Sequence, residues 1–159
     1  MPFDPNLGPL GPLLGAWEGE KGTDLAPSDK PASDRRLVTS KYRERMVFEP
    51  TGRVDNHEQS LYGLRYSTKA WRIGSPDAFH EEVGYWMWDP ASELRDEVFG
   101  ICSSPFLTAE FKTMRYTLAI NIFDDDAFHY EEHSWLKMKN RSELFDHKDE
   151  NTLRRLRDL

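Results

Sequence analysis

The chain has 159 residues and a formal net charge of −7, a length that favours one domain, residues 1–159, with a core of its own. Basic residues are scattered except for Arg154, Arg155 and Arg157, which read as a solvated face, so nucleic acid is excluded as a partner. No basic-then-apolar leader opens the chain, no stretch approaches the roughly 18 apolar residues of a bilayer span, and Cys102 has no second cysteine to pair with, so the expectation is a reduced, cytoplasmic protein with no membrane partner.

The first 14 residues carry Pro2, Pro5, Pro9 and Pro12 with Gly8 and Gly11, which permits a short cap or one helical turn and no long helix. "LLGAWEGEKG" (13–22) then sets Trp17 among Gly15, Gly19 and Gly22, a pairing that local propensity does not explain. Leu25–Asp34 is polar, holds Pro27 and Pro31, and reads as a surface loop.

From there a period of two dominates, with candidate strands at Lys41–Phe48, Glu58–Arg72, Phe79–Trp88, Arg95–Cys102, Phe106–Lys112, Tyr116–Phe123 and Phe128–Met138. "EPTGRVDN", "GSPD", "DPAS", "SSP" and "DDDA" supply turn chemistry between them. Short strands at close intervals predict an all-β antiparallel sandwich or barrel. In "FHEEVGYWMW", His80, Glu82, Gly84, Trp86 and Trp88 share one face, and Phe79, Glu81, Val83, Tyr85 and Met87 share the other. Both faces are part apolar and part ionisable, which a barrel with a polar lumen tolerates and a dry core does not.

Few residues carry chemistry by spacing alone. His129 and His133 have the helical spacing of a zinc pair, but on a strand they lie about 13 Å apart, too far to share an ion. Cys102, beside Ser103 and Ser104, reads as a structural thiol, and Asp124–Asp126 as a turn without calcium-loop spacing. His147 stands in "LFDHKDENTLRRL", after the last predicted strand, and composition alone reads it as an exposed loop histidine; the other reading is that Asp146 or Asp149 hydrogen-bonds one ring nitrogen and leaves the other free for a metal.

Four segments, in order, resemble the nitrobindins, heme-binding barrels similar in shape to fatty-acid-binding proteins and lipocalins. "GAWEGEKG" resembles the family's Gly-x-Trp-x-Gly signature, and "YRERMVFEPTGRVDN" its second strand and turn. "FHEEVGYW" is similar to its His-x-Glu-x-Gly-(Tyr/Phe)-Trp motif, and "FDHKDENTLRRL" to the tract that bears the axial histidine. The resemblance implies an up-and-down antiparallel barrel of about ten strands, or fewer because Trp88 to Phe106 is short for the family, with ferric heme b in one open end. It also implies that Gly15 and Gly19 bend the first strand while Trp17 plugs the closed end, that His147 is the iron ligand, and that His80 borders the distal face. Nitric oxide binding, peroxynitrite isomerisation to nitrate by the heme-loaded barrel and a homodimer follow as expectations. Two other readings stay open: a heme-free, non-enzymatic barrel that binds a small apolar ligand, and a filled structural domain.

Overall fold

The computed structural model describes residues 4–28, 36–57, 59–90, 111–139 and 142–157. Among these, seven antiparallel strands follow one 3₁₀ segment, Pro5–Leu13, capped by the Asp4 side chain on the Asn6 amide. They are β1 (Gly15–Pro27), β2 (Leu37–Asn56), β3 (Gln59–Arg72), β4 (Ala78–Trp88), β5 (Phe111–Asp124), β6 (Ala127–Met138) and β7 (Leu144–Arg155). All seven form one sheet in the order β4-β3-β2-β1-β7-β6-β5, so the first and last strands pair at its centre and, among the described residues, β4 and β5 are its edges. The sheet curls. Tyr42 on β2 and Tyr130 on β6 have two strands between them, yet their hydroxyls meet at 2.6 Å.

The all-β reading holds, and three local expectations change. "EPTGRVDN" is not a turn between strands: β2 runs through it, absorbing Pro50–Gly52 as a bulge with Gly52 at φ 75° and turning only at His57. β1 continues to Pro27, so the predicted loop begins later than Leu25. The tract with His147 is strand β7, paired to β6 and β1. Its hydrophobic alternation is weak because His147, Asp149 and Asn151 occupy inward positions that other strands fill with apolar side chains. The predicted strand Arg95–Cys102, Cys102 itself and most of Phe106–Lys112 lie outside the described residues.

Trp17 is fully buried where the 3₁₀ segment closes one end of the curl, packed with Leu7, Leu10, Leu13, Phe48, Leu64, Phe128 and Leu153. Its indole N–H donates to the Leu13 carbonyl at 2.7 Å, and its ring meets Phe128 edge-on. The glycines around it act by close approach as much as by bending. A Cβ on Gly19 would lie 2.6 Å from the Thr152 carbonyl, and one on Gly22 would lie 2.5 Å from the Tyr42 ring. Arg155 is no solvated cation. Its guanidinium lies 4.1 Å over the Trp17 ring and donates to the Pro12, Leu14 and Asp125 carbonyls, tying the cap and the β5–β6 turn to the sheet.

Candidate functional site

Above this plug the concave face encloses a cavity of about 300 Å³ lined by residues from all seven strands. Its lower wall is aromatic: Trp86 packs on Phe48 and Tyr66 at centroid distances of 5.1 and 5.4 Å, beside Met46, Leu118 and Phe128. Its upper wall is polar, with Asp24, Tyr42, Glu44, Arg72, His80, Glu82, Tyr116, Tyr130, Glu132, His147 and Asp149.

Strand alternation explains the His-x-Glu-x-Gly-x-Trp spacing. His80, Glu82, Gly84 and Trp86 all face inward, while Val83 and Tyr85 are exposed outside and Glu81 pairs with Lys69 there. Each inward position has a task. A Cβ at Gly84 would lie 2.5 Å from the Tyr66 ring, so glycine admits that ring, whose hydroxyl donates to Glu82. His80 and Glu82 lie 3.5 Å apart; the hydrogen bond to Glu82 holds the imidazole above its ordinary pKa against the effect of burial, and His80 in return lowers Glu82.

His147 enters from β7 and also lines the cavity, so one space holds both predicted histidines. The expected carboxylate partner is corrected. Neither Asp146 nor Asp149 receives the ring nitrogen; Nε2 lies 3.0 Å from Oδ1 of Asp24 on β1. The neighbours fail for a geometric reason: Asp146 points to the outer face, where Lys148 and His133 meet it, and Asp149 lies beyond reach along the same inner face. Asp24 is 4 % exposed, and its second oxygen takes Arg72 at 2.7 Å and Ser40 at 3.2 Å. Burial pushes this carboxyl up, but the hydrogen bonds from His147 and Arg72 outweigh burial and hold it below its ordinary range.

A hydrogen-bonded row crosses the floor of the polar half. Glu44, buried, accepts from Thr68 at 2.8 Å, Tyr130 at 2.9 Å and Asn151 at 3.2 Å. Because Tyr130 gives its one proton to Glu44, Tyr42 gives its own to Tyr130. Asp149 then has only a weak donor, the Tyr42 hydroxyl 3.5 Å from its Oδ2. Its Oδ1 is buried without a partner, and burial followed by the charges of Glu132, Glu44 and Asp24 pushes its pKa up to about 8. Glu44 and Glu132 are raised too, by burial first. Near neutral pH the upper wall therefore carries less negative charge than its carboxyl count implies.

Sequence reasoning found His80 and His147 and missed Asp24, Tyr42, Glu44, Arg72, Tyr130 and Glu132 as lining groups. The signal was present on β2 and β6: Tyr42, Glu44, Met46 and Phe48 alternate inward, as do Phe128, Tyr130 and Glu132, so each buried acid shares a face with core aromatics. His129 and His133 do not share a site. His129 turns outward, where its donor atom lies within 4.8 Å of those of Glu131 and Glu150, and His133 lies near Asp146.

Comparison with known proteins agrees with this geometry. No curated protein and no solved structure matches the chain. One family does: its model matches residues 6–105, which span Trp17 and the His80–Trp86 motif and end before the strand that carries His147. With well over half its length matched, the chain belongs to the THAP4-like, heme-binding β-barrel domain family, the nitrobindin-like barrels.

Proposed function

We propose that this chain takes up ferric heme b, with His147 as the residue that would hold the iron and His80 as the residue beside the bound group, binds nitric oxide, and converts peroxynitrite to nitrate. The observation that carries the reading is that imidazoles from β4 and β7 line one cavity beside an aromatic wall in a member of a heme-binding family. The donor set suits the group. His147 would hold the iron on exchanging the Asp24 carboxylate at Nε2 for the metal, and Trp86, Tyr66 and Phe48 offer a flat apolar wall. Asp149, whose pKa burial pushes up to about 8, favours the same reading, since a neutral acid costs less to cover with an apolar macrocycle than an ionised one.

Heme, held by His147, would supply a Lewis-acidic iron centre for nitric oxide and peroxynitrite chemistry. The chain's own part is binding, orientation and proton control. His80 is about half exposed at the mouth, and Glu82 stabilises its protonated form, so it presents a cation to an entering anion and a proton to a peroxo oxygen. Glu82 is held in turn by the Tyr66 hydroxyl. In hemin-loaded protein, His80→Leu is expected to keep the Soret band and to slow peroxynitrite decay by roughly 10²-fold or more, the usual size of a lost acid–base group. Decay at the parental rate would remove His80 from the reaction.

A second reading rests on size. About 300 Å³ is at the lower end of ligand cavities, which run to roughly 1,000 Å³, and it suits a small amphipathic molecule bound without heme. Hemin that adds to the protein without saturation, and without a sharpened Soret band, would favour it.

A further inference from the structure

We propose that the outer face of the sheet carries a divalent-metal site, built from His129 and Glu131 of β6 and Glu150 of β7, that takes zinc or a similar transition ion. The site is independent of the reading of the cavity. Tyr130, Glu132 and Asp149 line the lumen, so alternation turns their neighbours His129, Glu131 and Glu150 to the opposite face. All three also lie beyond the residues that the family model matches.

The register brings the donors together. Glu131 and Glu150 are directly paired across β6 and β7, and His129 stands two residues before Glu131 on the same face. One ligand atom from each lies within 4.8 Å of the other two. Ligands at the ordinary zinc distance of roughly 2.1 Å stand roughly 3.4 Å apart around a tetrahedral ion, so the exposed glutamates need to close only a short gap. The imidazole is the fixed member. Its side chain is 22 % exposed, Nδ1 meets the Thr152 hydroxyl at 3.0 Å, and Nε2 faces Glu131 at 3.5 Å. A ring that donates from Nδ1 keeps its lone pair on Nε2, the nitrogen beside the carboxylates. Metal-ligating histidines are ordinarily oriented in this way, through the other ring nitrogen.

The surroundings supply no other counter-charge. Like charges directly opposite on neighbouring strands work against folding, and a cation between them reverses the sign. Along the same row the next residues are Ala119 on β5 and Thr23 on β1, neither of them a cation. Lys41, opposite Thr23, donates to the Thr23 hydroxyl, and Lys148, one row away, pairs with Asp146. Among the described residues, no lysine or arginine forms an ion pair with Glu131 or Glu150. The imidazole decides the class of ion, because it suits zinc and its neighbours, whereas magnesium and calcium prefer oxygen alone. Three protein ligands leave the fourth position to water.

The test is a calorimetric titration of zinc into the heme-free full chain. The parent is expected to bind saturably at this site and to unfold at a higher temperature with zinc than without. Thr152→Val keeps all three ligands and removes the hydroxyl behind the ring, and should lower zinc affinity roughly 10- to 100-fold. His129→Ala should lower it further, and His133→Ala, on the same face, should match the parent. Glu150→Gln should also weaken zinc binding, yet be at least as stable as the parent without metal, since it relieves the repulsion from Glu131. That stability separates a lost ligand from a damaged fold. The proposal is overturned if the parent shows no saturable zinc binding. Parental affinity in His129→Ala or Glu150→Gln, or affinity lost in His133→Ala instead, overturns it as well.

Discussion

The two ends of the curled sheet solve opposite problems with the same strands. Around Trp17 every inward position is apolar or, like Arg155, has its donors satisfied by backbone carbonyls, and the end is filled. A few residues further along the same strands, Asp24, Glu44, Glu132 and Asp149 stand where apolar side chains would be more stable, and Asp149 keeps an oxygen with no partner. Burying such groups works against folding. The plug supplies stability and the polar half spends it on a lumen lined by ionisable groups. The difference teaches which substitutions should report on fold and which on function.

The largest expected effect lies at the plug. Trp17→Ala removes a fully buried indole and should lower unfolding free energy by roughly 3–5 kcal/mol in a denaturant titration. A change near zero would dissolve the contrast between the two ends. Arg155→Met sharpens it: with the Pro12 and Leu14 carbonyls unpaired and the cation over Trp17 gone, a loss of roughly 1–3 kcal/mol is expected by the same titration, although Arg155 lies near the end of the chain.

The polar half should respond with the opposite sign. Asp149 has a folded pKa of about 8 against an ordinary 3.8, so the folded form holds a proton that the unfolded chain has lost. Its stabilising contribution is complete below the unfolded value and disappears as pH rises through the folded one. Parent stability should therefore fall between about pH 4 and about pH 8, and Asp149→Asn should reduce that fall by roughly 1–3 kcal/mol after allowance for solvent screening. Equal pH slopes in the two proteins would mean that Asp149 is ionised in the folded state. The smallest effect belongs to neither end: Val83→Thr, on the exposed face of β4, should stay within about 0.5 kcal/mol of the parent.

The same contrast explains what the sequence made legible. In β3, β4 and β6 aromatic and aliphatic residues recur at every second position between turn signals, so period-two alternation located these strands nearly to the residue, while Trp17 was assigned to the plug by the family resemblance. β7 was missed because its inner face carries His147, Asp149 and Asn151 before Leu153, so polar residues alternate with polar residues and a hydrophobic period has nothing to detect. β2 was cut short because Pro50 and Gly52 carry turn chemistry that the sheet uses for a bulge instead. His80 was legible from a local motif. Asp24 was not, since its relation to His147 spans 123 positions and exists only because the first and last strands pair.

Heme uptake through His147 is the claim on which the rest depends, and one experiment reaches it. Hemin is titrated into the parent and into five variants, each with a single histidine (His57, His80, His129, His133 or His147) changed to alanine, following the Soret band. The account predicts saturable binding at one site in the parent, with His147→Ala alone losing the parental band position and most of its affinity, while the outward His129→Ala and His133→Ala match the parent. Parental spectrum and affinity in His147→Ala, or no saturable binding in any of the six proteins, would contradict it.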